Sequence, residues 1–296
     1  MTHAALVVSI AALAAVPEAW AQGGVDASLR AMLPGRIREA GVITVATDPH
    51  APPYTFYGED NSTLIGLEHD LAAEMARKLG VAFEFSPMQF ASVITSVQGG
   101  RNDMGISAFG DFIEREKIVD EIDYAYEATG IIVPEGNPHG VQKIGDLCGL
   151  RVAAVQGTIP VELLHEQARR CPSDKPLEMR QFPSNDQVVL AVRSGRADAL
   201  LDTYGVAAYT LAKLQRGRGG RDLELVRGTK YAVGLQAMIV AKRNGTLRDA
   251  IQATLQAMVD DGSYRAVFEK WGLEENVLET ITINDAARFT DYLDVN

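Results

Sequence analysis

The sequence predicts an α/β chain built from two wound sheets. Three observations support this. Short β-branched runs alternate with amphipathic helical stripes at the spacing of a parallel, wound sheet. The pattern stops and then restarts near Leu150. No Pro- or Ser-rich linker separates the halves, which favours lobes joined by crossing strands, with a cleft between them, over beads on a flexible string.

The elements follow in order. Val42 to Ala46 is a β-branched run ended by Asp48-Pro49 and Pro52-Pro53. Leu67, Leu71, Met75 and Leu79 recur every four residues before Gly80, the pattern of an amphipathic helix with a glycine stop. Val81 to Phe85 reads as a strand, Phe90, Val93, Ile94 and Val97 as a second helical stripe, and Asp103 to Ser107 as a third strand. In the second unit Leu150 to Val155 is a strand, Ile159 to Arg169 a helix, Val188 to Val192 another, and Ala197 to Leu201 a strand. The apolar run Ala232 to Ala241 reads as a buried strand. Thr246 with Asp249 has the spacing of a capping box, and Ser263 is placed to cap a last helix closed by Gly272.

Of 296 residues, 47% are hydrophobic, which suits two lobes better than one small core. Acids outnumber Lys and Arg by 39 to 28, a net charge of −11, which argues against nucleic acid and anionic membranes as partners. Ala4 to Val16 has the length of a signal core, and Ala19-Trp20-Ala21 fits the small-x-small cleavage rule, so residues 1–21 read as an export signal, although Met1-Thr2-His3 brings no Lys or Arg. In an oxidising compartment the two cysteines, Cys148 and Cys171, are expected to bridge. No metal site and no cofactor are expected, because no nearby His completes a familiar ligand spacing.

No nucleophile elbow, phosphate loop or zinc-protease motif is present. Three segments carry ligand chemistry instead. Asp48 to Phe56, DPHAPPYTF, is a stiff loop at a strand's carboxyl edge, where open sheets bind ligands, and Tyr54 and Phe56 are candidates to wall a pocket or to pack beneath the loop. Ser107 to Arg115, SAFGDFIER, joins a strand end and Gly110 to an arginine, the parts needed for bidentate carboxylate capture, although a lone arginine is usually a solvated ion-pair partner. Gln156-Gly157-Thr158 opens a helix, which suits either an anion or an ordinary threonine cap.

Together with GLEHDLAAEMARKLG, SVQGGRNDMGIS, DLCGLRVAAVQGT, SGRADALLDTYGVAAY and LQAMVDDGSYRAVFEKWGL, these segments resemble the family 3 extracellular solute-binding proteins over roughly residues 38 to 280. The resemblance implies a two-lobed, type II periplasmic binding protein with a two-strand hinge and a central cleft. Lobe one would span 38–128 plus 232–284, lobe two 129–231, and a tail 285–296. It implies a monomer, not an enzyme, that captures a carboxylate-bearing amino acid or derivative and delivers it to an ABC permease. Arg115 would clamp the carboxylate, Ser107 and Gly110 would add contacts, Thr158 would close from lobe two, and Asp48 would approach the ligand side chain. Some positions depart from the family pattern. Ala51 and Leu67 replace sandwiching aromatics, Ala108 a serine and Ile159 a hydroxyl. Thr203 stands where the amine-binding acid is expected, with Asp202 one position early. The same fold also hosts cyclohexadienyl dehydratases, whose elimination chemistry needs a cleft acid such as Asp202 or Glu162, and ligand sensors for signalling or dehydrogenase partners.

Overall fold

A computed structural model describes residues 24–214, 223–228 and 230–289. The expected export signal and the end of the chain, residues 290–296, lie outside the described residues. Helices α1 (Ala27–Met32) and α2 (Gly35–Ala40) lead into strand β1 (Val42–Thr47). A small antiparallel patch follows, made of β2 (His50–Ala51), β3 (Thr55–Tyr57) and β4 (Leu64–Ile65). Then come α3 (Leu67–Leu79), β5 (Ala82–Pro87), α4 (Phe90–Gly99), β6 (Met104–Gly110), α5 (Ile113–Glu116) and the long β7 (Val119–Pro134). The second unit contains β8 (Arg151–Val155), α6 (Ile159–Arg170), β9 (Glu178–Phe182), α7 (Asn185–Arg193), β10 (Ala199–Thr203), α8 (Tyr204–Leu214) and β11 (Leu223–Leu225). Strand β12 (Tyr231–Ala241) returns to the first unit, which ends with α9 (Gly245–Asp261) and α10 (Ser263–Lys270).

The main strands follow the order β5-β1-β6-β12-β7-β10-β8-β9, with β11 beside β7. The outer pairs β1/β5 and β8/β9 are parallel, while β12 runs antiparallel to both β6 and β7. Strands β7 and β12 pair from Val119↔Ala241 to Thr129↔Tyr231, with register shifts near Gln236 and between Tyr231 and Gly234. This long pair connects the units, and beyond Thr129 strand β7 pairs with β10 instead.

Side-chain alternation puts a core on each face of this continuous sheet in both units. In the second unit Ile131, Val133, Val152 and Leu201 face one core, while Ile132, Ala153 and Leu200 face the other. In the first unit Met238 and Val240 join the core under α3, α9 and α10, and Ile239 joins the one under α4. The predicted stripe of α3 is buried at Leu67, Leu71, Met75 and Leu79, and Gly80 ends the helix at φ 64°.

Two predicted caps form differently. Helix α9 starts at Gly245 directly after a 3-10 turn at Lys242–Asn244, so the chain is already coiled before Thr246 and Asn244 holds the cap position without a side-chain bond. Helices α9 and α10 share Gly262, at φ 82°, which leaves no extended residue for Ser263 to occupy as a cap. Instead the Ser263 N–H donates to Asp261 Oδ1 at 3.0 Å.

Cys148 and Cys171 form a disulfide with Cα atoms 5.4 Å apart. It ties the approach to β8 to the end of α6. Closing a loop between cysteines 23 positions apart removes unfolded-state entropy. The double replacement Cys148→Ser/Cys171→Ser is expected to lower unfolding free energy by about 3 kcal/mol in urea titrations. An unchanged midpoint would show that the bridge contributes nothing.

Candidate functional site

Two adjoining cavities of about 50 Å³ each lie between the units. They share Phe90 and Ala108 from the first unit and Thr158, Asp202 and Thr203 from the second. One extends to Gly110, Arg115 and Glu127, the other to Asp48, His50 and Ser107. The lobes touch across this cleft: a Cβ placed on Gly110 would lie 2.2 Å from Ile159 Cδ1, and one on Gly205 2.7 Å from the Tyr54 hydroxyl. A larger cavity of about 480 Å³ borders the hinge at Glu127 and Ala128. We assign the site to the smaller pair because buried charged groups from both lobes converge there.

On the first unit, Asp48 follows β1, the expected ligand edge of such a sheet. Its N–H donates to Ser107 Oγ at 2.8 Å, and its Oδ2 accepts from Phe90 N–H, at the start of α4, at 2.7 Å. Its other oxygen pairs with His50 Nδ1, which raises the imidazole pKa. Within β6, Ala108 has φ 48°, a left-handed conformation that costs an alanine about 1 kcal/mol. The Ala108 N–H donates to Glu68 Oε1 at 2.7 Å, and Tyr124 donates to the same oxygen at 2.8 Å. Burial pushes Glu68 up to about 7.

Arg115 lies on α5 and is 4% exposed. Its Nε donates to Glu121 Oε1 at 2.7 Å, and the rings of Phe109 and Phe112 are centred 5.2 and 5.1 Å from its Cζ. Its Nη2 is buried with no hydrogen-bond partner.

On the second unit, Thr158 holds the cap position of α6 without a side-chain cap bond, and its hydroxyl donates to the Val155 carbonyl at 2.6 Å. Pro160 brings no N–H to this helix start, so fewer donors face the cleft than at an ordinary helix start. Asp202 Oδ1 accepts from Thr203 N–H at 2.8 Å, and burial pushes its carboxyl up to about 7.

Of the residues marked by sequence, Asp48, Ser107, Gly110, Arg115, Thr158, Asp202 and Thr203 all line the cleft. Tyr54 and Phe56 do not. Tyr54 is fully buried and donates its hydroxyl to Glu127, while Phe56 packs against the rings of Tyr209 and Trp271 at 5.5 and 5.9 Å.

Glu127 was missed by sequence reasoning. It lies on β7 where the chain crosses, and it accepts from Tyr54, from Ala128 N–H at 2.8 Å, and from the backbone of Tyr204 and Gly205 at the start of α8. Burial pushes its carboxyl up to about 7. The available signal was a lone acid in the β-prone run Tyr124 to Val133.

The sequence pattern of the bacterial extracellular solute-binding proteins, family 3, matches residues 43–274. An arginine-binding protein of Corynebacterium glutamicum is 28% identical over 276 residues, covering 91% of this chain and 87% of that protein. An L-cystine-binding protein of Escherichia coli is 27% identical over 238 residues, covering 80% and 84%. Among solved structures, an ancestral arginine-binding protein bound to arginine superposes with a TM-score of 0.72 at 29% identity, covering 78% of this chain and 98% of that one. An ancestral amino-acid-binding protein described as a precursor of cyclohexadienyl dehydratase gives 0.70 at 29% identity, covering 80% and 97%.

Two outcomes follow from the geometry. Gly110→Val suits strand β6 but collides with Ile159 when the lobes meet, so it is expected to weaken ligand binding at least about 10-fold, the effect of overpacking by about 1.4 kcal/mol. Wild-type affinity in calorimetry would refute this. Glu68, Glu127 and Asp202 have folded pKa values raised to about 7. Raised carboxyl pKa values give stability that is fully present below the unfolded values, about 4, and lost as pH rises through about 7. The melting temperature of the ligand-free protein should therefore fall between pH 5 and pH 8, and Glu68→Gln/Glu127→Gln should flatten the slope.

Proposed function

Because the pattern spans residues 43–274, the chain belongs to the bacterial extracellular solute-binding proteins of family 3, and we propose that it captures an amino acid in the interlobe cleft outside the cytoplasm. A partner ABC-type permease would receive the ligand from the closed form of a monomer. The observation that carries this reading is the Nη2 of Arg115, buried beside the cleft without a partner. An unpaired buried guanidinium nitrogen is costly, and a ligand carboxylate supplies what it lacks.

In this reading lobe one is 38–128 plus 232–284, and lobe two is 129–231. Arg115 holds the carboxylate, with Ser107 and Gly110 lining its approach and Thr158 closing from lobe two. Asp202 takes the ligand amine, since it lines both cavities and Thr203 supplies only a hydroxyl. Asp48 faces the ligand side chain from the His50 end, and Tyr54 and Phe56 support the site from behind. The cleft acids Asp48, Glu127 and Asp202 outnumber its basic groups, Arg115 and His50, which favours an amino acid with a cationic side chain. The arginine-binding relatives support this reading.

Closure is selected by differential affinity: only the closed arrangement lets both lobes contact one ligand. A calorimetric screen of the L-amino acids and L-cystine tests the reading. Wild type is expected to bind at least one of them, and Arg115→Ala to weaken it at least about 10-fold, because a charge-assisted contact contributes about 1.5–3 kcal/mol. Binding of none, or unchanged affinity in Arg115→Ala, would overturn it. Turnover of prephenate would make the protein an enzyme instead.

A further inference from the structure

Arg115 does not meet the cleft as a free side chain. Glu121, the third residue of β7, is fully buried, and its Oε1 accepts from Arg115 Nε while Oε2 accepts from Phe112 N–H at 3.3 Å. The backbone of Glu121 is itself fixed. Its N–H donates to Asn284 Oδ1 at 2.8 Å, and its carbonyl accepts from Asn284 N–H at 2.9 Å. Behind it lies Asp111, which accepts from Asp285 N–H at 3.1 Å and whose carboxyl is pushed up to about 11, by burial first and then by Glu121.

A guanidinium has two hydrogen-bonding edges. Glu121 engages the side edge through Nε. The terminal edge, Nη1 with Nη2, has no acceptor at Nη2. With Phe109 and Phe112 packed about the same group, a side chain that normally has about 2 kcal/mol of rotamer entropy is held in one pose before any ligand arrives. Preorganisation of this kind raises affinity without adding a contact.

We infer that Glu121 is a positioning residue, which holds Arg115 by Nε so that the terminal edge of the guanidinium is presented to the ligand carboxylate. The inference rests on the proposed function, since it presumes that Arg115 binds that carboxylate. Glu121 does not line the cleft cavities.

The geometric role separates from a purely electrostatic one by two conservative variants. Glu121→Gln keeps an oxygen at the right reach but loses the charge. Glu121→Asp keeps the charge but withdraws the oxygen by one methylene. Titration of both with L-arginine and with L-cystine, beside wild type and Arg115→Ala, is expected to leave Glu121→Gln within about 5-fold of wild type and to weaken Glu121→Asp at least about 10-fold, or about 1.4 kcal/mol. Unfolding of the ligand-free variants followed in parallel excludes loss of folded protein as the cause. Wild-type affinity in Glu121→Asp, or weaker binding by Glu121→Gln than by Glu121→Asp, overturns the inference alone, provided Arg115→Ala still loses binding. Unchanged binding in Arg115→Ala, or no binding of either amino acid by wild type, overturns the inference together with the ligand reading.

Discussion

The antiparallel pair of β7 and β12 runs through both lobes, and everything else in the molecule is arranged around its cost. Strand β7 carries Asp120, Glu121, Asp123 and Glu127, all buried. Isolated ionised carboxylates cannot be buried at acceptable cost, so each needs a cation, a donor or a proton. Asp120 is met by Lys242 at 2.7 Å and Arg248 at 3.0 Å, which join the start of α9 to the strand. Asp123 accepts from Thr282 at 2.8 Å, which draws the chain after α10 back across the sheet. Glu121 takes Arg115, and Glu127 takes Tyr54 with the start of α8.

These neutralisations are also what build the site. The acids at the lobe-one end of β7 organise the arginine, the segment Thr282 to Asn284 and the helix start behind it. Glu127 at the crossing point receives a hydroxyl from lobe one and backbone N–H groups from lobe two. A closing motion therefore changes the hydrogen-bond environment of Glu127 as well as the width of the cleft. The same burial leaves Glu127, Glu68 and Asp202 with pKa values near 7, so the cleft and hinge share one electrostatic setting.

The recognition chemistry follows from close packing at a few small residues. Gly110 lets Ile159 approach, and Gly205 lets Tyr54 reach the hinge. Ala108 bends left-handed so that its N–H turns to Glu68. Each is a local departure from ordinary strand or helix rules, and all lie at or beside the interlobe contact. Local compromises of this kind concentrate where a structure must bind or move.

Much was legible from residues alone. Strands β1, β5, β6, β8, β10 and β12, the stripe of α3 with its glycine stop, the paired cysteines and the strand-edge segments holding Asp48, Ser107 and Arg115 all follow from local periodicity and turn chemistry, which depend on neighbours in sequence. Strand β7 was not legible, because four acids in its first nine residues mask its β pattern, and helix α8 went unread beside it. The caps at Thr246 and Ser263 were misplaced because abutting turns had already set the backbone. The tertiary structure alone decided that Glu121 holds Arg115, that Glu127 joins the lobes, and that Tyr54 and Phe56 lie behind the cleft. Those pairings link residues whose partners come from other strands or the other lobe, and burial, which no local pattern encodes, is what makes each carboxylate require the partner it has.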